Sequence, residues 1–194
     1  MSAGVRRSDA TANRARIIEV ARAFLAESDD VRLNAIAKRA GVGQGTLYRH
    51  FPTREALLAE VYRRDVDELV AAAPTLLAEH DPASALARWL DRVVDYAEVK
   101  RGVLAAVETA LSQRLFAHSQ GPIGDALTLL LDAGKAAGAV REDVDARDVI
   151  LLIAYLSRLE RDEWDARARP LMRIVLDGLT AISSATTPGA AASA

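Results

Sequence analysis

The sequence contains no cysteine. Disulfides and thiolate metal sites are therefore excluded. Histidine is scarce, and His50, His80 and His118 stand too far apart to form a ligand cluster. The first residues lack an apolar signal-peptide core, and no apolar run approaches the roughly 20 residues needed to span a bilayer. A soluble, cytoplasmic protein with no membrane partner is expected. There is no Ser-His-Asp arrangement with a nucleophile motif, no phosphate loop and no metal-ligand spacing. Neither an enzyme nor a bound cofactor is expected. The acidic residues are spread along helix faces and read as solvated surface. Lysine is also rare, with 3 against 22 arginines.

What is present is a chain of 194 residues, 51% of them hydrophobic, enough for a sizeable core in one domain or two small ones. The net charge of −2 conceals an asymmetry. Residues 1–55 hold ten Lys and Arg against six Asp and Glu, a net of +4. Residues 56–194 hold fifteen against twenty-one, a net of −6. A basic first quarter on an acidic remainder indicates that only the first part meets a polyanion.

Within that quarter the informative stretch is residues 36–51, IAKRAGVGQGTLYRHF. Leu33, Ile36, Ala37 and Ala40 recur at i, i+3, i+4 and i+7, which gives a helix one apolar face. Gly41 ends that helix, because glycine enters the left-handed region without a Cβ penalty. Val42 plugs the turn. A second short helix is predicted over about 43–50, with Leu47 inward and Gln44, Thr46, Tyr48, Arg49 and His50 on the outside. It carries no acidic residue. Two short helices across a tight glycine turn describe a helix-turn-helix, whose second helix fits the DNA major groove. An ordinary helical corner with a polar outer face has the same pattern, so the pattern alone leaves both readings open.

The segment AGVGQGTLYRHFPTREALL resembles the recognition segment of the TetR family of transcriptional regulators. The resemblance runs from about Thr11 to Tyr62. The family's G-V-x-x-G-T-L-Y-x-H-F stands here as Gly41, Val42, Gly45, Thr46, Leu47, Tyr48, His50 and Phe51. Two positions depart from it. Gly43 stands where the family commonly has a serine-like N-cap, and Arg32 where it commonly has a capping threonine. Residues 137–149, AGAVREDVDARDV, resemble a helix junction of TetR-type C-terminal domains.

The remaining elements are all helical, about nine in total, and the expected fold class is all-α. The expected divisions are a disordered arm over 1–10, a helix-turn-helix DNA-binding domain over 11–55, an effector-binding and dimerisation domain over 56–182, and a disordered tail over 183–194. The arm, with Arg6 and Arg7, is either a tail or a minor-groove contact. The first helix is predicted from Thr11 to Glu27 with Ile17, Ala21, Phe24 and Leu25 inward, broken at Ser28, Asp29 and Asp30. Thr53 caps the next long helix, which Pro74 is expected to kink or split. Asp81-Pro82 opens another, ending near Lys100. A helix with Val103, Leu104, Val107 and Leu111 follows, then a loop over 114–122, a helix from about Ile123 to Ala137 stopped by Gly138, one capped by Asp145, and a last one over about 164–182.

The TetR resemblance implies site roles. Thr46, Tyr48 and His50 match phosphate-contacting positions, and Arg54 matches a basic position where a helix start holds phosphate. Gln44, Gly45, Asn34 and Arg49 match base-reading positions. Gln44 suits adenine and Arg49 guanine. The partners implied are double-stranded operator DNA, a second copy of the chain and a small effector. The expected effector cavity is walled by the helices between residues 53 and 156, with Trp89, Val93, Tyr96, Val107, Phe116, Leu127 and Tyr155 as candidates and an apolar or weakly polar ligand. The expected dimer seam comprises Leu152, Leu156, Leu171, Ile174, Val175, Gly178, Leu179 and Ile182. Two alternatives remain: a DNA-binding regulator with no small effector, and a helical interaction module without DNA binding. A cavity of roughly 300 Å³ or more with convergent polar groups separates the first from the effector reading.

Overall fold

The computed structural model describes residues 2–27 and 32–180, with only the backbone of 2–9 and of Ala26. Its elements are α1 (Ser2–Glu27), α2 (Leu33–Arg39), α3 (Gln44–His50), α4 (Arg54–Glu79), α5 (Pro82–Ala106), α6 (Thr109–Ala136), α7 (Ala146–Leu152), a 3-10 helix (Ile153–Arg158) and α8 (Arg161–Leu179). Among the described residues there is no strand, only an isolated antiparallel bridge between Val140 and Thr180. The all-α expectation holds.

The expected punctuation is present. Gly41 has φ +65° and Gly138 has φ +67°. Each closes its helix by paired backbone bonds: Val42 N–H to the Ala37 carbonyl (3.0 Å) with Gly41 N–H to Lys38 (3.2 Å), and Ala139 N–H to Gly134 (2.9 Å) with Gly138 N–H to Lys135 (2.8 Å). Thr53 accepts from Ala56 N–H and Asp81 from Ser84 N–H. Asp145 and Asp148 form a reciprocal capping box. Arg32 and Gly43 start α2 and α3 without a side-chain cap bond, as their departure from the pattern implies.

Several expectations fail, each at a helix breaker or an expected helix end. α4 runs unbroken through Pro74. Ala72, Ala73 and Leu76 are buried around the proline, and the Thr75 hydroxyl donates to the Ala71 carbonyl, so packing offsets the missing amide bond. The loop over 114–122 is helix, because α6 continues through Gly121 and Pro122. Leu115 and Ser119 are buried there, and tertiary contact overrides the local composition. α5 extends past Lys100 to Ala106, so Val103 and Leu104 belong to it. At the other end, α1 begins at Ser2, so the backbone over 2–10 is helical where an arm was expected. Extending a formed helix needs no new nucleus, and this stretch has no proline. The tail 183–194, the break at 28–30 and Ile182 lie outside the described residues.

One buried cluster reaches from Ile17 to Leu179. The expected boundary between residues 55 and 56 falls in the first turn of α4, whose Leu57, Leu58, Val61 and Tyr62 join both halves. α1 also meets α5 directly at Gly102, where a Cβ would sit 3.2 Å from the Leu25 carbonyl oxygen and Leu25 Cδ2. The missing Cβ suits the close approach of the two helices, and an alanine there would press on Leu25.

Candidate nucleic-acid interface

Leu47 is 0% exposed and anchors α3 on the core of the first three helices. That leaves Gln44, Gly45, Tyr48 and Arg49 exposed, with Thr46 and His50 half-buried at the edge. Tyr48 is 45% exposed, high for an aromatic without a partner surface. Asn34 is exposed on α2. Arg49 folds back on its own helix, donating to the Gly45 carbonyl (3.0 Å) and the Thr46 hydroxyl (3.3 Å). Arg39 is held by Glu27 through two bonds of 2.6 and 2.8 Å. α3 thus presents hydroxyls, an amide and a guanidinium with no carboxylate, a surface suited to phosphate and base edges.

Arg54 has an acceptor within the chain. Its Nη1 donates to the Ala106 carbonyl, 2.9 Å away at the end of α5. The first turn of α4 is therefore tied to the α5–α6 corner.

Behind this surface, Asp65 of α4 accepts from Nε of Arg22 on α1 at 3.0 and 3.2 Å. Its side chain is only 5% exposed. Burial raises its pKa to about 6 in spite of the guanidinium, which pulls the other way.

The effector candidates do not gather around one void. Trp89 and Leu127 are fully buried, and the Trp89 indole donates to the Leu69 carbonyl at 2.9 Å. Val93 is core. Tyr155 lies on the 3-10 helix, its hydroxyl donating to the Ala168 carbonyl of α8 at 2.7 Å, and its pKa is pushed up to about 12 by burial. Tyr96, Val107 and Phe116 lie along the α5–α6 side. Tyr96 donates to the Tyr62 hydroxyl (3.0 Å), which donates to Ser119 (2.8 Å), which donates to the Phe116 carbonyl (2.9 Å). Tyr62, Ser119 and the neighbouring Lys100 were missed from sequence, since a polar residue within a helical stripe carries no mark of being inward. A cleft of about 240 Å³ between α1, α4 and α5 is lined by Arg22, Asp65, Glu68, Leu69, Arg92, Asp95 and Tyr96. A second, of about 160 Å³, lies between α5 and α8 beside Trp164, Glu98 and Arg169. Both are charged where an apolar wall was expected.

The seam candidates divide. Leu152 (54% exposed) and Ile174 (65%) face outward, as does Leu151 (61%), which the sequence pattern did not single out. Leu171 and Val175 are half-buried, and Gly178 is exposed with open space beyond it. Leu156 and Leu179, in contrast, are buried within this chain's own core. Sequence periodicity cannot say which of two apolar stripes a helix spends on its own fold.

Among the described residues, no group of three or more His, Asp or Glu could hold a metal ion, and no helix is long and apolar enough to cross a membrane.

The tetR family profile of bacterial regulatory proteins matches residues 17–61, and the profile of the SbtR-like transcriptional regulator C-terminal domain matches residues 81–181. An HTH-type transcriptional regulator of Staphylococcus aureus is 30% identical over 116 residues, 58% of this chain and 63% of that relative. The chain thus spans under two thirds of that relative's length. The crystal structure of a TetR transcriptional regulator from Streptomyces coelicolor superposes with a TM-score of 0.77 at 40% identity, covering 88% of this chain and 99% of that one. One from Mycobacterium vanbaalenii gives a TM-score of 0.69 at 36% identity, covering 90% and 98%. The DNA-binding and C-terminal matches together cover both parts of the fold, and this chain belongs to the TetR family of DNA-binding transcriptional regulators, which are not enzymes.

Proposed function

We propose that the protein is a homodimeric repressor that grips a pseudo-palindromic operator with two copies of α3 and releases it when a small effector binds the C-terminal helices. The carrying observation is the outer face of α3, where Gln44, Tyr48 and Arg49 stand exposed on a helix fixed from behind by Leu47. Thr46, Tyr48 and His50 take phosphates, Gln44, Arg49 and Asn34 read bases, and Gly45 allows close approach at the groove edge. Arg54 joins them when it leaves Ala106. The exposed Leu151, Leu152 and Ile174, with Leu171, Val175 and Gly178, supply the self-complementary seam. One module reads only a few base pairs, so a dimer spaced by about 34–36 Å is needed for useful specificity.

The test is fluorescence anisotropy with duplexes tiled across the DNA flanking the protein's own gene. Binding is expected to fall steeply with salt through counterion release. Gln44→Ala should relax discrimination at one base pair by about 1–3 kcal/mol, and Tyr48→Ala should weaken all duplexes alike. Ile174→Arg should give a folded monomer with weakened operator binding. Salt-insensitive binding, or a wild type that sediments as a monomer at micromolar concentration, would overturn the reading.

The full burial of Trp89 and Leu127, two of the expected pocket residues, favours a second reading, a regulator with no small effector. A ligand that changes operator affinity, and whose own affinity changes reciprocally with operator, decides between them.

A further inference from the structure

Lys100 is the only lysine on α5, and the geometry around it is unusual for a cation. Its Nζ lies 4.5 Å from the ring centre of Phe116 on α6 and 5.8 Å from that of Tyr96 one turn back. The side chain is half-buried. No carboxylate or carbonyl among the described residues pairs with it, and burial alone drives its pKa down. A charge partly withdrawn from water normally finds an anion, because desolvation disfavours the charged form. Two aromatic faces offset part of that. The half-buried ammonium thus has two ring faces beside it and no anion among the described residues.

What surrounds it sets the rest of the ligand. Lys100, Leu104 and Val107 follow one another at i, i+4 and i+7, one side of α5 and its corner. Leu104, Val107 and Leu111 are all only partly buried against the core, and Phe116 is 43% exposed. The seam from Lys100 towards the α5–α6 corner is apolar and incompletely covered. Deeper in, the hydroxyls of Tyr96, Tyr62 and Ser119 form a chain of donors whose last proton is given to the Phe116 carbonyl. That chain is satisfied internally and asks for nothing.

We infer that the α5–α6 seam binds an apolar monocarboxylate, its carboxylate on the Lys100 ammonium and its hydrocarbon body along Leu104, Val107, Leu111 and Phe116. This rests on the effector reading above and gives it a chemical class, a single negative charge on an apolar body where the sequence pointed to an apolar or weakly polar ligand. The same seam ends at Ala106, whose carbonyl holds Arg54 of the DNA module. A ligand body that displaces the corner acts on an arginine meant for phosphate.

The test uses the full-length protein and decanoate, below its micelle-forming concentration, with methyl decanoate and decyltrimethylammonium as neutral and cationic counterparts of the same chain. Calorimetry should find decanoate bound at least about tenfold more tightly than the ester, and the cation bound weakest. Lys100→Met keeps the length and apolarity of the side chain and should erase the preference, bringing decanoate down to the ester. Lys100→Arg should restore most of it. Equal binding of acid and ester by the wild type, unchanged decanoate affinity in Lys100→Met, or no binding of decanoate would each overturn the inference. Operator release is read separately by anisotropy. If the ester releases operator from wild type and Lys100→Met alike, the effector reading stands and the carboxylate site falls. If decanoate binds through Lys100 and leaves operator affinity unchanged, the site stands and effector-driven release falls.

Discussion

Asp65→Asn should remove a pH dependence of stability without a large cost at neutral pH. Asp65 is buried on α4, and Arg22, which it pairs with, is 40% exposed on α1. Burial is the largest influence on the carboxyl, the attraction of Arg22 opposes it, and the result is a pKa raised from an ordinary 3.8 to about 6. The folded protein thus holds a proton on Asp65 more tightly than the unfolded chain does. Between the two values the native state binds more protons, so stability is greatest below about 3.8 and is lost as pH rises through about 6. A tenfold change in proton affinity is worth about 1.4 kcal/mol, so the whole span is about 3 kcal/mol as an upper figure. The substituted asparagine would accept one bond from Arg22 and carry no charge to desolvate, while Arg22 keeps access to water. The assay is urea denaturation of both proteins at pH 4, 5, 6 and 7. Other carboxylates contribute to each curve and cancel in the difference. Wild type should gain on the variant by about 2–3 kcal/mol as pH falls from 7 to 4, with the two close to equal at pH 7. A difference that is flat with pH, or a variant destabilised by more than about 2 kcal/mol at every pH, would show that the ion pair outweighs burial and refute the reasoning.

Gly134→Ala would place a Cβ 2.5 Å from Val140 Cγ2, and should cost about 1–3 kcal/mol by overpacking, with Val140→Ala recovering much of it in a double mutant. Tyr62→Phe leaves the buried Tyr96 hydroxyl without its acceptor and should lower stability by about 1–3 kcal/mol in thermal melts. Leu179→Ala, buried in the protomer, should cost about 2–5 kcal/mol at any protein concentration. Ile174→Ala, 65% exposed, should stay within about 0.5 kcal/mol for the isolated chain and should act only through association, seen as a concentration-dependent melting temperature.

The sequence showed most helix ends far better than the packing between helices, and the reasons are local. Gly41, Thr53, Asp81, Gly138 and Asp145 act through bonds to residues within a few positions, so their effects can be read along the chain. Pro74 and Pro122 also act locally, but their helices are held by partners far away in sequence. Trp89 packs at Leu69, and Tyr62 reaches Ser119 across 57 residues. The fate of Arg54 was illegible for the same reason, as its acceptor lies 52 residues on. The seam between α5 and α6 was hidden by a breaker-rich stretch that reads as loop until the hydroxyl network is seen. Leu156 and Leu179 have the same periodicity as Ile174, and only the fold shows which face turns inward.

Gly102 has a mechanical consequence. A module joined to its body by one helix can swing about that helix as a pendulum. Here α3 packs on α1 and α2, and α1 in turn rests on both α4 and α5, meeting α5 where Leu25 touches Gly102. The DNA-binding module is therefore braced like a two-legged stand, through α1 on α4 and α1 on α5. To tilt α3 against the C-terminal helices, α1, α4 and α5 must travel as one piece, or the contact at Gly102 must open first.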